Sequence, residues 1–151
     1  MNAWVVRAVL LGALVVALRT LLGFTMVYWP TQGVWWRALC LLVLLAAIVS
    51  WGVLDGRRDR EAHADPERGS DLTVLWLQVA VAAGVGSGAA AWLLDFLPRF
   101  DLGDNGPLFE LTAGASFIVL LVFLGGLLGI ALGRYLAGRN AGKKVSEPVA
   151  A

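Results

Sequence analysis

The sequence predicts an all-α membrane protein, a four-transmembrane-helix antiparallel bundle with N- and C-termini cytoplasmic. Three observations lead there. Apolar residues make up 59% and charged residues 15% of 151 residues, against about 45–50% and 25% in soluble globular domains. A soluble fold this small exposes too much surface to hide so many Leu, Val and Ala side chains, whereas lipid solvates them. Four apolar stretches each reach the roughly 20 residues a helix needs to cross the hydrocarbon core, and Lys and Arg concentrate on alternate links between them.

The four stretches run from Ala3 to Tyr28, Val34 to Leu54, Leu72 to Leu97 and Leu108 to Tyr135. They are long and lack strict alternation, which favours helices over a membrane barrel built from short strands of alternating polarity. The first is expected to be retained as a helix rather than cleaved. Its apolar part exceeds the usual about 7–15 residues of a signal peptide, and no small-x-small cleavage site follows Tyr28. Together they form a single domain over residues 1–136, followed by a polar tail over 137–151 with Arg139, Lys143 and Lys144 and a disordered end.

Between the first two helices, Trp29-Pro30-Thr31-Gln32-Gly33 is short, uncharged and helix-breaking, so its neighbours are antiparallel. The second link, residues 55–71, carries Asp55, Gly56, Arg57, Arg58, Asp59, Arg60 and Arg68 with Pro66, and reads as a solvated cytoplasmic loop. The third, Pro98 to Pro107, is rich in turn formers.

Orientation follows from the basic residues. The middle loop holds four arginines, and Arg134, Arg139, Lys143 and Lys144 close the chain, while the first and third links hold only Arg99, with Arg37 just inside helix two. By the positive-inside rule both termini and the middle loop face the cytoplasm of a plasma (inner) membrane. Aromatic residues, which prefer the headgroup level, agree: Trp4, Trp51, Trp76 and Tyr135 fall at one edge, and Tyr28, Trp29, Trp35, Trp36 and Trp92 at or near the other.

In lipid, helices associate through close approach at small residues. Helix one offers Ala8, Gly12 and Gly23; helix three offers Ala80, Gly84, Gly88 and Ala91; helix four offers Gly125, Gly129 and Gly133. Each stripe is expected to face protein. The string Gly84 to Gly88 superficially suggests a phosphate cradle, but such a cradle opens at a strand-to-helix turn beside water, and this string lies inside an apolar run.

Arg19 is the most informative residue. It lies past the midpoint of helix one, where an unpaired charge costs at least about 2.5–3.5 kcal/mol, so something must compensate it. Candidate partners are Asp95 at the end of helix three and Glu110 at the start of helix four, towards which an arginine can snorkel. Arg37 joins them in a polar cluster with Thr112 and Ser116 below it. Two readings stand: a binding site for an anionic headgroup, small metabolite or coupling ion, and an ion pair that fixes helix order.

Other residues carry less. Cys40 is the only cysteine and lies in an apolar run, which excludes an intramolecular disulfide or a cysteine-based metal site. His63, the only histidine, falls short of a zinc signature and reads as a solvated loop residue. Asp101, Asp104 and Asn105 lack calcium-loop spacing and fit turn formation instead. No nucleophile has catalytic partners, so neither an enzyme nor a cofactor or metal is expected. Net charge of +1 gives no field for nucleic acid.

The segments Met1-Asn2-Ala3-Trp4-Val5-Val6-Arg7, Arg19-Thr20-Leu21-Leu22-Gly23, Trp29-Pro30-Thr31-Gln32-Gly33, Trp51-Gly52-Val53-Leu54-Asp55-Gly56-Arg57, Asp65-Pro66-Glu67-Arg68-Gly69 and Trp92-Leu93-Leu94-Asp95-Phe96 resemble a group of small actinobacterial four-transmembrane-helix proteins, the bacterial four-helix drug/metabolite transporter family. That resemblance covers most of the chain up to helix four and implies transport. It supplies no substrate residues. Small multidrug exporters also have four helices, but they use a glutamate in the first one as proton and cation site. Here Arg19 occupies helix one, and arginine does not release its proton at physiological pH. The strong charge bias also argues against oppositely inserted copies. Two functions remain open: a small transporter for an anionic or amphipathic molecule, acting as a homo-oligomer in the lipid bilayer, and a noncatalytic accessory or scaffold subunit of a larger envelope complex.

Overall fold

The computed structural model describes residues 3–63, 71–95 and 107–145. Helix α1 (Ala3–Tyr28) ends at a single tight turn (Pro30–Gln32), from which α2 (Gly33–Ala62) starts at once. Proline suits that turn because its fixed φ and missing N–H are tolerated at a helix start. After α3 (Leu72–Asp95), a helical turn (Pro107–Phe109) and a short π-helical segment (Glu110–Gly114) lead into α4 (Ala115–Val145).

All four helices are long and apolar enough to cross a membrane, which is the architecture of a multi-pass membrane protein. The residues they expose fit a lipid solvent: Leu39, Leu42, Leu45, Leu120, Leu124 and Leu128 lie on the outside, while glycine and alanine occupy the contacts within. α1 packs beside α2 and α3, and α4 also packs beside α2 and α3, so the cyclic order is α1, α2, α4, α3. The core at the centre is Leu11, Val15, Leu44, Ile48, Trp76, Val79, Ala83 and Val122. Ion pairs join Arg7 near the start of α1, and Arg134 in the second half of α4, to the end of α2, so these three parts of the helices share one end of the bundle.

α2 differs from the sequence expectation. It does not stop at Leu54 but continues through the segment read as loop to Ala62. Buried Cys40, Leu44, Ile48, Gly52, Asp55, Gly56 and Asp59 recur every three or four residues, so one face is covered along nearly the whole rod. Arg57 and Arg58 project from the other side and are exposed. Gly56 marks no turn; it permits contact with α4, since a Cβ there would overlap the backbone carbonyl of Ile130. At about 1.5 Å per residue, the 30 residues of α2 span roughly 45 Å, the thickness of a bilayer with its headgroup layers. α4 likewise runs past Tyr135 to Val145, through Arg139. The expected disordered tail end, residues 146–151, and the turn-rich stretch 96–106 with Asp101, Asp104 and Asn105 lie outside the described residues.

The tightest seam joins α2 to α4, where small residues of both helices meet. A Cβ on Gly52 would lie 2.7 Å from the Gly126 carbonyl and 3.0 Å from the Gly129 Cα, and one on Gly129 would lie 2.6 Å from the Val49 carbonyl. Gly133 is closed in by Val53 and Arg57 backbone, and Gly125 faces Ile48. On α3, Gly84 faces the Ala115 carbonyl and Val119, and on α1, Gly12 stands 3.6 Å from Ala83 at its Cβ position. Gly88 is buried and Gly23 half-buried.

Candidate functional site

Two places hold charge inside this apolar frame, one at each end of the bundle. The first centres on Asp55 and Asp59, one turn apart on the covered face of α2. Asp55 Oδ1 accepts from Arg7 Nη2 of α1 at 2.6 Å, with the side chains 3% and 13% exposed respectively. Its other oxygen accepts from the Trp76 indole N–H at 3.1 Å. Trp76 is fully buried. Its ring lies against Gly126 of α4, where any Cβ would overlap it, so it reaches across the bundle to α2. One carboxylate thereby ties three helices.

Asp59 Oδ2 accepts from Arg134 of α4, at 2.7 Å from Nη2 and 2.9 Å from Nε. Both guanidinium donors converge on this one carboxylate oxygen in charge-assisted hydrogen bonds. His63, the partly exposed residue that follows α2 and caps its end, lies 3.6 Å from the Asp59 carboxylate. Its backbone N–H donates to the Asp59 carbonyl and its Nδ1 lies 3.3 Å from the same oxygen. Both clusters pair each aspartate with an arginine, so they bring buried charge to neutrality and key the helices in register.

Sequence reasoning missed this network because Asp55 to Arg60 reads as a hydrophilic link. A signal was present: the three-to-four spacing of Leu44, Ile48 and Gly52 continues through Asp55, Gly56 and Asp59. The direction of Trp76 was missed too. It lies near the start of α3, as the sequence places it, but points into the bundle, where its N–H finds an acceptor within the protein. Trp4 and Trp51 are half-buried, while Tyr135, Tyr28, Trp29 and Trp35 are exposed. At the far end Trp29 stacks on Trp36, with ring centres 6.3 Å apart and planes at 25°.

The second place is a cleft of about 140 Å³ at the opposite half of the bundle, bounded by α1, α2 and α4. Arg19 and Arg37 both line it, and the remaining walls are Val15, Leu18, Leu22, Cys40, Leu41, Leu44 and Ile118. Arg19 is half-buried and already engaged in a polar or electrostatic contact. Arg37 is exposed, and it makes no hydrogen bond or ion pair among the described residues. Two of the four residues singled out from the sequence thus share a cleft. The side chains of the other two, Asp95 and Glu110, lie outside the described residues. Thr112 and Ser116 are exposed rather than part of the cleft walls, and the Thr112 hydroxyl donates to the Leu108 carbonyl of its own turn.

Chemically, two guanidiniums beside apolar walls can engage an anion, and among the described residues that line the cleft there is no carboxylate or histidine. Among the described residues, no group of three His, Cys, Asp or Glu side chains could hold a metal ion. Comparison with protein-family models and with curated proteins returns no match.

Proposed function

We propose that this protein is a small transporter of the drug/metabolite type, in the plasma membrane with both termini cytoplasmic, that recognises an anionic or amphipathic molecule through Arg19 and Arg37. The observation that carries this reading is the sharing of one apolar-walled cleft by two guanidiniums from adjacent helices. A cation in the membrane needs a counter-charge, and Arg37, which has no partner among the described residues, can take one from a ligand in the cleft. Orientation is supported by Arg57, Arg58 and Arg60 following the apolar part of α2, and by Arg134 and Arg139 near the end of α4. The family resemblance supports transport as the activity.

The centre of one bundle is filled by Leu11, Ile48, Trp76, Val79 and Val122, all essentially inaccessible. That filled core supports a route between copies, with an oligomer as the transporting unit. That same filled core favours a second reading, an accessory or scaffold subunit whose helices serve assembly. Reconstitution into vesicles separates the two. Transport requires flux of at least one member of an anionic and amphipathic panel, reduced by Arg37→Gln. No flux for any member, together with a larger stoichiometric partner on purification in mild detergent, establishes the subunit reading instead.

A further inference from the structure

We propose that the Arg19–Arg37 cleft seats the phosphate of an anionic membrane lipid, with Arg37 at its rim and Arg19 deeper. The inference rests on the preceding reading in taking the cleft as a ligand site, and it names the ligand. Size is the first argument. Pockets that engulf a whole small molecule measure about 300–1,000 Å³, whereas this one measures about 140 Å³. At about 30 Å³ of liquid volume per water, that is space for a headgroup and nothing larger. The remainder of any ligand must lie outside, against the bundle's apolar exterior, where Leu39, Leu42 and Leu21 are exposed. A molecule with a charged head and a greasy body uses both features, the head in the cleft and the body on the apolar exterior.

The second argument concerns the head. Counting from the tight turn that joins α1 to α2, helical rise separates the backbones of Arg19 and Arg37 by roughly 7 Å along the bundle. Their side chains therefore approach a shared ligand from different levels and from different helices. A carboxylate has two oxygens in one plane, which a single guanidinium fork fills. A tetrahedral phosphate offers oxygens in more than one plane, so the Arg37 fork can hold one edge while Arg19, keeping its existing contact, adds positive charge from the deeper level. Depth agrees as well: Arg37 stands one turn into α2 from its first residue, Gly33, about 6 Å by helical rise, close to where headgroups begin. Basic pockets between transmembrane helices are a recurrent means of holding phospholipid headgroups.

The test is lipid binding by the purified protein in mild detergent, read by native mass spectrometry, with phosphatidylglycerol and phosphatidylcholine of identical acyl chains as probes and sodium phosphate as a soluble competitor. Phosphatidylglycerol should be retained over phosphatidylcholine, and Arg37→Gln should cut that preference about ten-fold, the loss expected for one charge-assisted contact. Arg19→Gln should cut it too, through the loss of the deeper positive charge. Arg58→Gln, at the other end of the bundle and exposed, should leave it unchanged. Equal retention of the two lipids, a preference indifferent to Arg37→Gln, or an equal fall with Arg58→Gln overturns the proposal. So does displacement of the lipid by equimolar sodium phosphate, which assigns the cleft to a soluble anion. Because the readout is binding, its failure is separate from the failure of flux: lipid held without transport refutes the transporter reading alone.

Discussion

Replacing Asp55 by alanine tests the physical account of the bundle most directly. The carboxylate is 3% exposed and its partner Arg7 13% exposed, which puts the pair among buried ion pairs. Removing one member of such a pair leaves an uncompensated charge and costs about 3–5 kcal/mol. The same substitution orphans the indole N–H of the fully buried Trp76, a further penalty of about 1–3 kcal/mol that overlaps with the first because the groups share one network. Asp55→Ala should therefore destabilise by at least about 3 kcal/mol. Arg7→Leu with Asp55→Leu removes both charges and leaves only the indole unsatisfied, so the double variant should lose about 1–3 kcal/mol. Equilibrium unfolding in mixed micelles of mild and denaturing detergent measures both. A loss under about 1 kcal/mol for Asp55→Ala, the range of exposed pairs, would refute the reasoning, as would a double variant no more stable than the single one.

Three further outcomes follow from the same geometry. Gly129→Ala should destabilise by about 1–3 kcal/mol through overpacking, because its Cβ would stand 2.6 Å from the Val49 carbonyl; Gly86→Ala meets nothing within 4 Å and should be neutral or stabilising by up to about 1 kcal/mol. Unfolding measurements that rank the two equally would remove the steric argument. Arg134→Ala should cost about 1–3 kcal/mol, because it takes charged donors from the Asp59 carboxylate, 7% exposed, yet less than Asp55→Ala because the guanidinium itself is 43% exposed; a loss as large as that of Asp55→Ala, in the same unfolding assay, would contradict this. In a Cys40→Ser background, Arg58→Cys should resist a membrane-impermeant thiol reagent on intact cells and Thr31→Cys should react, and the reverse pattern would invert the proposed orientation.

The spans were legible because a bilayer demands a long apolar run, and four such runs stand out in the sequence. The true end of α2 was not, since Asp55-Gly56 is a turn signal in water but here forms a polar, close-packed continuation of a helix face. Its acidic residues are tolerated because arginines on α1 and α4 meet them, and those partners lie 48 and 75 positions away in sequence. Local pattern contains no information about such distant pairings. Arg19 and Arg37 were legible as unusual because charge is costly in an apolar helix. That both line one cleft required knowing which faces of α1 and α2 turn toward each other. The inward direction of Trp76 was hidden by the same limitation: its place near a helix start was legible, and only the packing against Gly126 and the acceptor on α2 show that the ring points into the bundle.

α2 contains no proline between Gly33 and Ala62, the commonest cause of a sharp kink, so it behaves as one lever. Arg37 sits near one tip and Asp55 and Asp59 near the other, with the glycine seam against α4 as a smooth bearing between them. The cleft and the carboxylate ion pairs therefore share a single continuous rod, one anchored near its first turn and the others near its last.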